Sequence, residues 1–258
     1  MRSPVAVLRR FLELAQEPGR VLSTEAQLHG RLERGGPLRL VTVNLFDVSH
    51  YVRDPSYRDL VDRADHWTAD GQPVVRAFRR VGVAATRVTG SDLCRDLLTW
   101  PVSAGLRRVA ILGSSSEVLD AYGAALAAAG RELVLSDAGQ RSTWTRDRLE
   151  STLAQAAPDV LLIAVGTPFG ASVAARLLPM VSCPVIPIGA GVGMAVGVER
   201  RAPTLAQRLN GEWAWRMITD PQRLARRYLV ECLPVLPALV LAARTTRRPP
   251  AAALRNPQ

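Results

Sequence analysis

Apolar runs and amphipathic stretches alternate along most of this chain, and their lengths define its elements. Residues 5–16 carry a helical period that Pro18-Gly19 ends, and residues 20–36 read as a short helix and a loop. Leu38 to Val43, apolar and β-branched after Gly35-Gly36-Pro37, is the first clear strand. A helix suits residues 55–64, with Pro55 near its first turn. His66 to Ala69 then gives a short strand, Asp70-Gly71 a turn, and Pro73 to Arg80 a helix. Gly90 turns the chain into a helix that runs to Trp100, capped by Ser91 or Asp92.

From Arg107 onward the rhythm is regular. Strands at residues 107–112, 132–136, 159–165 and 184–188 alternate with helices at 117–129, 145–156 and 172–180. Such alternation implies right-handed βαβ units. The expected fold is α/β, a Rossmann-like parallel sheet with helices on both faces, followed by a C-terminal helical appendage. The organisation expected is a helical extension over residues 1–36, a core over 37–198, an Arg-rich appendage over 199–248 and a disordered tail over 249–258.

Ligands of parallel sheets bind outside the carboxyl ends of the strands, which directs attention to the residues there. Asp70, ahead of Gly71, is a carboxylate held between two rigid elements. Alternation places Thr42 and Asn44 on one face at the end of the first strand, a neutral pair suited to a sugar or a nucleobase, or else to capping a loop. Gly113-Ser114-Ser115-Ser116 and Gly166-Thr167-Pro168 each precede a helix, where free N–H groups favour phosphate or a hydroxylated ring; small residues for close packing are the alternative. Gly189 to Gly197 reads as a glycine-dense loop.

Charge adds a second theme. The net charge is +10, and every one of the 33 Lys/Arg residues is arginine. Such a chain favours anionic partners. Residues 199–248 hold ten arginines against four acids, and Arg223, Arg226 and Arg227 fall on one helical face, as a solvated surface or as a diphosphate-binding cluster. Residues 229–243 are nearly all apolar between arginine flanks, yet Pro234 and Pro237 interrupt them. This segment reads as too short and too broken to span a bilayer, and suits either packing on the domain or lying on an anionic membrane face. Val5 to Leu8 is too short for the core of a signal peptide. Cys94, Cys183 and Cys232 lie far apart and read as reduced thiols, neither metal ligands nor nucleophiles. No recognition-helix, zinc or RNP pattern accompanies the charge, so nucleic acid is not an expected partner.

Thr42-x-Asn44, Asp70-Gly71, Arg87-Val-Thr-Gly-Ser-Asp92, Arg201-Ala-Pro203, Glu212-Trp-x-x-Arg216 and Asp220-Pro-x-Arg-Leu-x-Arg-Arg-Tyr228 occur in that order. In these motifs the chain resembles the WecG/TagA/CpsF glycosyltransferases of bacterial surface-polymer synthesis, over roughly residues 39–229. The resemblance implies an inverting transfer of an N-acetylmannosamine-type sugar from a UDP-sugar donor to a polyprenyl-diphosphate-linked GlcNAc acceptor. It places the enzyme in the cytoplasm, peripheral on the inner face of the cell membrane, and the sequence leaves homo-oligomerisation open. Asp70 matches the aspartate proposed as general base. Thr42, at the catalytic end, and Asn44 match the polar pair lining the pocket. Gly71, Gly90, Asp92, Gly113 and Gly166 are the further substrate-binding candidates of the core, and Arg201, Arg216, Arg223, Arg226 and Arg227 those of the appendage.

The chemistry agrees with that assignment. A positioned carboxylate assists a hydroxyl nucleophile, and developing charge on a UDP leaving group needs a metal or a cluster of arginines and helix N-termini. There is no DxD motif, the arginines fit the metal-free option, and no cofactor is expected. The chain departs from the family in two stretches: Pro168-Phe169-Gly170-Ala171 stands where Pro-Lys-Gln-Glu is usual, and the family's Phe-Asp is absent from the glycine loop. These departures motivate the alternative of a catalytically lapsed member that binds a nucleotide sugar or scaffolds polysaccharide assembly.

Overall fold

The computed structural model describes residues 3–102, 105–139, 143–199 and 221–248. In chain order the elements are α1 (Pro4–Ala15), α2 (Glu25–Glu33), β1 (Leu38–Val43), α3 (Leu45–Arg53), α4 (Pro55–Asp62), β2 (His66–Ala69), α5 (Gln72–Arg80) and α6 (Gly90–Thr99). They continue with β3 (Arg108–Gly113), α7 (Ser116–Ala128), β4 (Glu132–Asp137), α8 (Arg146–Ala156), β5 (Val160–Ala164), α9 (Phe169–Leu177), β6 (Pro184–Pro187) and α10 (Gly191–Ala195). A last helical run comprises α11 (Pro221–Ala225), a π-helical segment (Arg226–Cys232), a 3-10 turn (Leu233–Val235) and α12 (Leu236–Thr245). The strands form a six-stranded parallel sheet in the order β2-β1-β6-β5-β3-β4, a Rossmann-like α/β fold.

The chain divides into two units, one drawing on Met1–Thr24, Val43–Val88 and Arg201–Gln258, the other on Glu25–Thr42 and Thr89–Arg200. In the second unit β3 and β5 are the central strands, paired in parallel with Val109 opposite Val160 and Gly113 opposite Ala164. Val109 to Leu112 and Val160 to Ile163 are all fully buried. A strand covered on both faces is an unbroken apolar run, which is why these two are so plain in sequence. The chain leaves β3 for β4 on one side and returns to β5 on the other. The order reverses between β3 and β5, the position at which open parallel sheets offer a crevice at their carboxyl ends.

The first unit has an aromatic core. Phe11 of α1 lies 4.9 Å from the ring of Trp67 in a stacked arrangement, and within 5.1 and 5.6 Å of Tyr51 and Phe78. Trp67 Nε1 donates to the Val61 carbonyl at 2.9 Å, so its one polar atom is satisfied inside. Helix α12 packs along α1 and α5.

Four expectations change. Residues 45–53, to which the sequence analysis assigns no element, form α3; its buried set includes Asp47 and Ser49, and polar residues on the inner face break the apolar period. The N-cap of α6 is Thr89, whose Oγ1 accepts from the Asp92 N–H at 3.0 Å, rather than Ser91 or Asp92. Helix α9 begins at Phe169 instead of Ser172, and the glycine-dense loop contains α10. The prolines do not break the C-terminal run: Arg226–Thr245 is one continuous helix of 20 residues, long and apolar enough by length and composition to cross a bilayer. Pro234 has no N–H to return to the carbonyls of the turn before it. Arg53 supplies the donor from outside, reaching the Val230 carbonyl at 3.2 Å and the Glu231 carbonyl at 3.1 Å. The expected tail over 249–258 lies outside the described residues.

Phe11→Ala removes the ring on which Trp67, Tyr51 and Phe78 converge. It is expected to lower stability by about 3–5 kcal/mol, read from urea unfolding.

Candidate functional site

Asp70 follows β2 directly, and two backbone links set its position. Its N–H donates to the Val43 carbonyl at 2.8 Å, which fixes it beside the residue that follows, Asn44. A parallel bridge pairs Ala69 with Arg87, and the Val88 N–H donates to the Ala69 carbonyl at 2.9 Å. Arg87 is thereby brought next to the carboxylate, its Nε 3.7 Å from Asp70 Oδ1, each side chain about one-third exposed. Gly71 takes φ of 90°, where a side chain would be strained, and opens α5 without a side-chain cap. The acid thus sits on a turn held at both ends, with a counter-ion from a separate segment.

Asn44 begins the neighbouring feature. It lies one residue past β1 in extended conformation, and its Oδ1 accepts from the N–H groups of Phe46 (2.8 Å) and Asp47 (3.2 Å). Asp47 Oδ2 accepts in return from the Asn44 N–H at 3.0 Å, which completes a capping box. Of the two readings that Asn44 had in sequence, its side-chain oxygen therefore serves the cap. Asp47 is 3% exposed, and its other oxygen accepts from the Tyr57 hydroxyl at 2.5 Å. Thr42 is the half-buried penultimate residue of β1.

The appendage meets α3 along its length. Arg227 lies over the Phe46 ring, its guanidinium carbon 4.2 Å from the centroid, and its Nε is buried without a hydrogen-bond partner. His50 meets the same ring edge-on at 4.6 Å. Burial pushes the His50 pKa below the usual imidazole value, and its Nε2 is enclosed without a hydrogen-bond partner. Arg226 is exposed, 3.9 Å from Glu231 Oε1. Arg223 lies on α11, where only its backbone is described, and Arg201 and Arg216 fall outside the described residues.

In the second unit the candidates line strand ends and helix starts. Gly113 ends β3 with φ of 99°, and a Cβ there would lie 2.7 Å from the Ala164 carbonyl oxygen. Gly166 follows β5, and a Cβ on it would meet nothing within 4 Å. Ser115 caps α7 by accepting from the Val118 N–H at 3.4 Å. Gly90 opens α6 so close to Ile188 that a Cβ would sit 3.0 Å from its Cα. Asp92 is buried, with Oδ2 accepting from the Thr89 hydroxyl at 2.7 Å and Oδ1 from Arg95 at 2.7 Å. In the stretch after Pro168, Phe169 is exposed, Ala171 is buried, and a Cβ on Gly170 would run into the Val165 carbonyl.

The structure therefore joins Asp70, Gly71 and Asn44 at one strand edge of the first unit, and Arg227 to the first turn of the helix that Asn44 caps. Sequence reasoning quoted Arg87 only as the head of a motif, with no role, and left out Phe46, Arg53 and Asp47. Only Asp47 carried a local signal, as the acid three residues after an Asn cap. Among the described residues no group of three or more His, Cys, Asp or Glu side chains gathers to hold a metal ion. The three cysteines are buried, and burial pushes Cys183 to about 12, Cys232 to about 11 and Cys94 higher still. All three are thus thiols near neutral pH.

Asn44→Ala deletes the cap of α3 and is expected to lower stability by about 0.5–2 kcal/mol, whereas Asn44→Ser keeps a cap and most of that stability. Thermal unfolding checks the pair.

The model described as the glycosyl transferase WecG/TagA/CpsF family matches residues 11–249. The match reaches beyond the 39–229 span of the motifs at both ends, taking in the last turn of α1, all of α2 and the remainder of the C-terminal helical run. With nearly the whole chain matched, the protein belongs to the WecG/TagA/CpsF family of glycosyltransferases.

Proposed function

We propose that this glycosyltransferase moves an N-acetylmannosamine-type sugar from a UDP donor to a polyprenyl-diphosphate-linked GlcNAc, with inversion, Asp70 acting as general base. The observation that carries the reading is the setting of Asp70. It is a partly exposed carboxylate at the carboxyl end of β2, tied to the Val43 carbonyl beside Asn44 and supplied with Arg87 as counter-ion. In its ionised form the group takes the proton of the attacking sugar hydroxyl as the new bond forms, a contribution of about 10²–10⁴-fold. Loss of the nucleotide leaves negative charge on a diphosphate, and the appendage arginines are the groups assigned to it.

The same reading assigns the enzyme to the inner face of the cell membrane. Leu229, Val230, Leu233, Val240 and Leu241 are exposed on the C-terminal run, while Cys232, Val235, Leu239 and Ala242 face inward. An apolar stripe on a helix whose other face packs against the protein, with Arg226 at one end and Arg244 at the other, suits a segment lying in the headgroup region of an anionic bilayer.

A second reading has one observation behind it. The Gly170 backbone leaves no room for a side chain where the family carries one, so the lost motif is built into this chain's turn. A lapsed enzyme would bind UDP and turn nothing over.

UDP release from a panel of UDP-sugars, with and without a polyprenyl-diphosphate-GlcNAc analogue, decides between the readings. Acceptor-dependent release that falls by about 10²-fold or more in Asp70→Asn, at unchanged UDP affinity, is the expected result. UDP binding with no release from any donor supports the lapsed enzyme. For the membrane face, Leu229→Gln, Leu233→Gln and Leu241→Gln combined are expected to abolish sedimentation with anionic vesicles. Alkaline carbonate should release the wild-type chain from membranes; retention would mean that the helix crosses the bilayer.

A further inference from the structure

The glycosyltransfer reading gives Arg227 a task but leaves open what holds it in place. An arginine side chain has several rotatable bonds, and fixing it over an anion site carries an entropic cost unless the protein has fixed it beforehand. The obvious device, a hydrogen bond to Nε, is missing: that atom is buried and has no partner. The ring of Phe46 lies there instead, 4.2 Å from the guanidinium carbon. The ring is itself held from two sides. Its backbone N–H is bound by the Asn44 carboxamide, and His50 packs against it edge-on. Arg53, at the far end of the same helix, ties down the Val230 and Glu231 carbonyls of the segment that carries Arg227.

We propose that Phe46 is a positioning residue, which presents the Arg227 guanidinium to a diphosphate at the first turn of α3. A cation over an aromatic face keeps its charge and its N–H groups while losing its freedom to swing. With the ring on one face and Nε enclosed, the terminal nitrogens at the far end of the fork are the ones a phosphate reaches, the part of arginine that binds such oxygens in pairs. No bond is made or broken by Phe46; its effect passes through Arg227. This inference rests on the glycosyltransfer reading for its biological ligand, and on diphosphate chemistry alone for its test.

The experiment measures calorimetric affinity of the full chain for inorganic pyrophosphate in the wild type, Phe46→Met, Phe46→Tyr, Arg227→Gln and the double variant Phe46→Met/Arg227→Gln. Methionine keeps most of the packing volume without an aromatic face, and tyrosine restores the face. Phe46→Met is expected to weaken binding by about 5- to 30-fold, the worth of a desolvated cation–π contact, and Phe46→Tyr by less than about twofold. On the Arg227→Gln background the Met substitution should weaken it no further, since the ring then has no guanidinium to position. A merely structural ring would lower the melting temperature while leaving the affinities additive or unchanged, and that result overturns the inference, as does a wild type that binds no pyrophosphate. Transfer assays at varied donor and varied acceptor then name the diphosphate. The KM that rises in Phe46→Met belongs to the one Arg227 holds, with kcat moving less than about twofold. Absent sugar transfer with a non-additive pyrophosphate cycle overturns the glycosyltransfer reading alone. Active transfer with an additive cycle overturns the role of Phe46 alone.

Discussion

A proline inside a helix leaves a carbonyl without its donor, and much of the first unit is arranged around the way this chain answers that demand. Val230 and Glu231 lie in the turn just before Pro234, which has no N–H to give. The guanidinium of Arg53 reaches the carbonyls of both from α3. The repair therefore also fastens the start of the C-terminal helix to the end of α3, while Arg227, in the same stretch, lies over Phe46 at the beginning of α3. The mended carbonyls and the seat of Arg227 share one surface of α3. One terminal nitrogen of Arg53 makes both bonds, each of its two N–H groups meeting one carbonyl.

α3 can bear this load because its own start is over-determined. Four amides at a helix N-terminus need acceptors, and here Asn44 takes two of them while Asp47 answers the Asn44 amide. Burying the Asp47 carboxylate would be unfavourable without donors, and the Tyr57 hydroxyl is a further one. Just beyond, the Asp70 amide takes up the Val43 carbonyl. The acid proposed for catalysis and the helix proposed to seat a diphosphate-binding arginine thus spring from adjacent backbone atoms at the end of β1.

Much of this fold was legible in the sequence, and the exceptions share a cause. β3 and β5 are unbroken apolar runs because both faces are covered, and the helices between strands kept their expected places within a few residues. α3 was missed because Asp47 and Ser49 lie on its buried face, where a periodicity argument looks for apolar residues. The C-terminal run was read as broken because the donor that mends it, Arg53, is remote in sequence and no local rule could supply it. The same holds for the site. Asp70-Gly71 announces a rigid turn, whereas the nearness of Arg87 depends on a strand bridge, and that of Phe46 to Arg227 on the path of the whole chain. Residue type marked the acid and the arginines; it was silent about what each one touches.

The π-helical segment Arg226–Cys232 has a consequence for how this chain can vary. A π turn holds more residues than an α turn, so the helix rotates more slowly there than on either side. It works as a phase adjuster between two faces with separate tasks: Arg227 turned toward Phe46, and Leu239 with Ala242 turned toward the protein beside α1. Insertions and deletions in this neighbourhood are therefore unlike those in a surface loop. One residue gained or lost within the segment would swing the arginine out of alignment and leave the apolar anchor where it was. The length of this stretch is as much a part of the site as the identity of its residues.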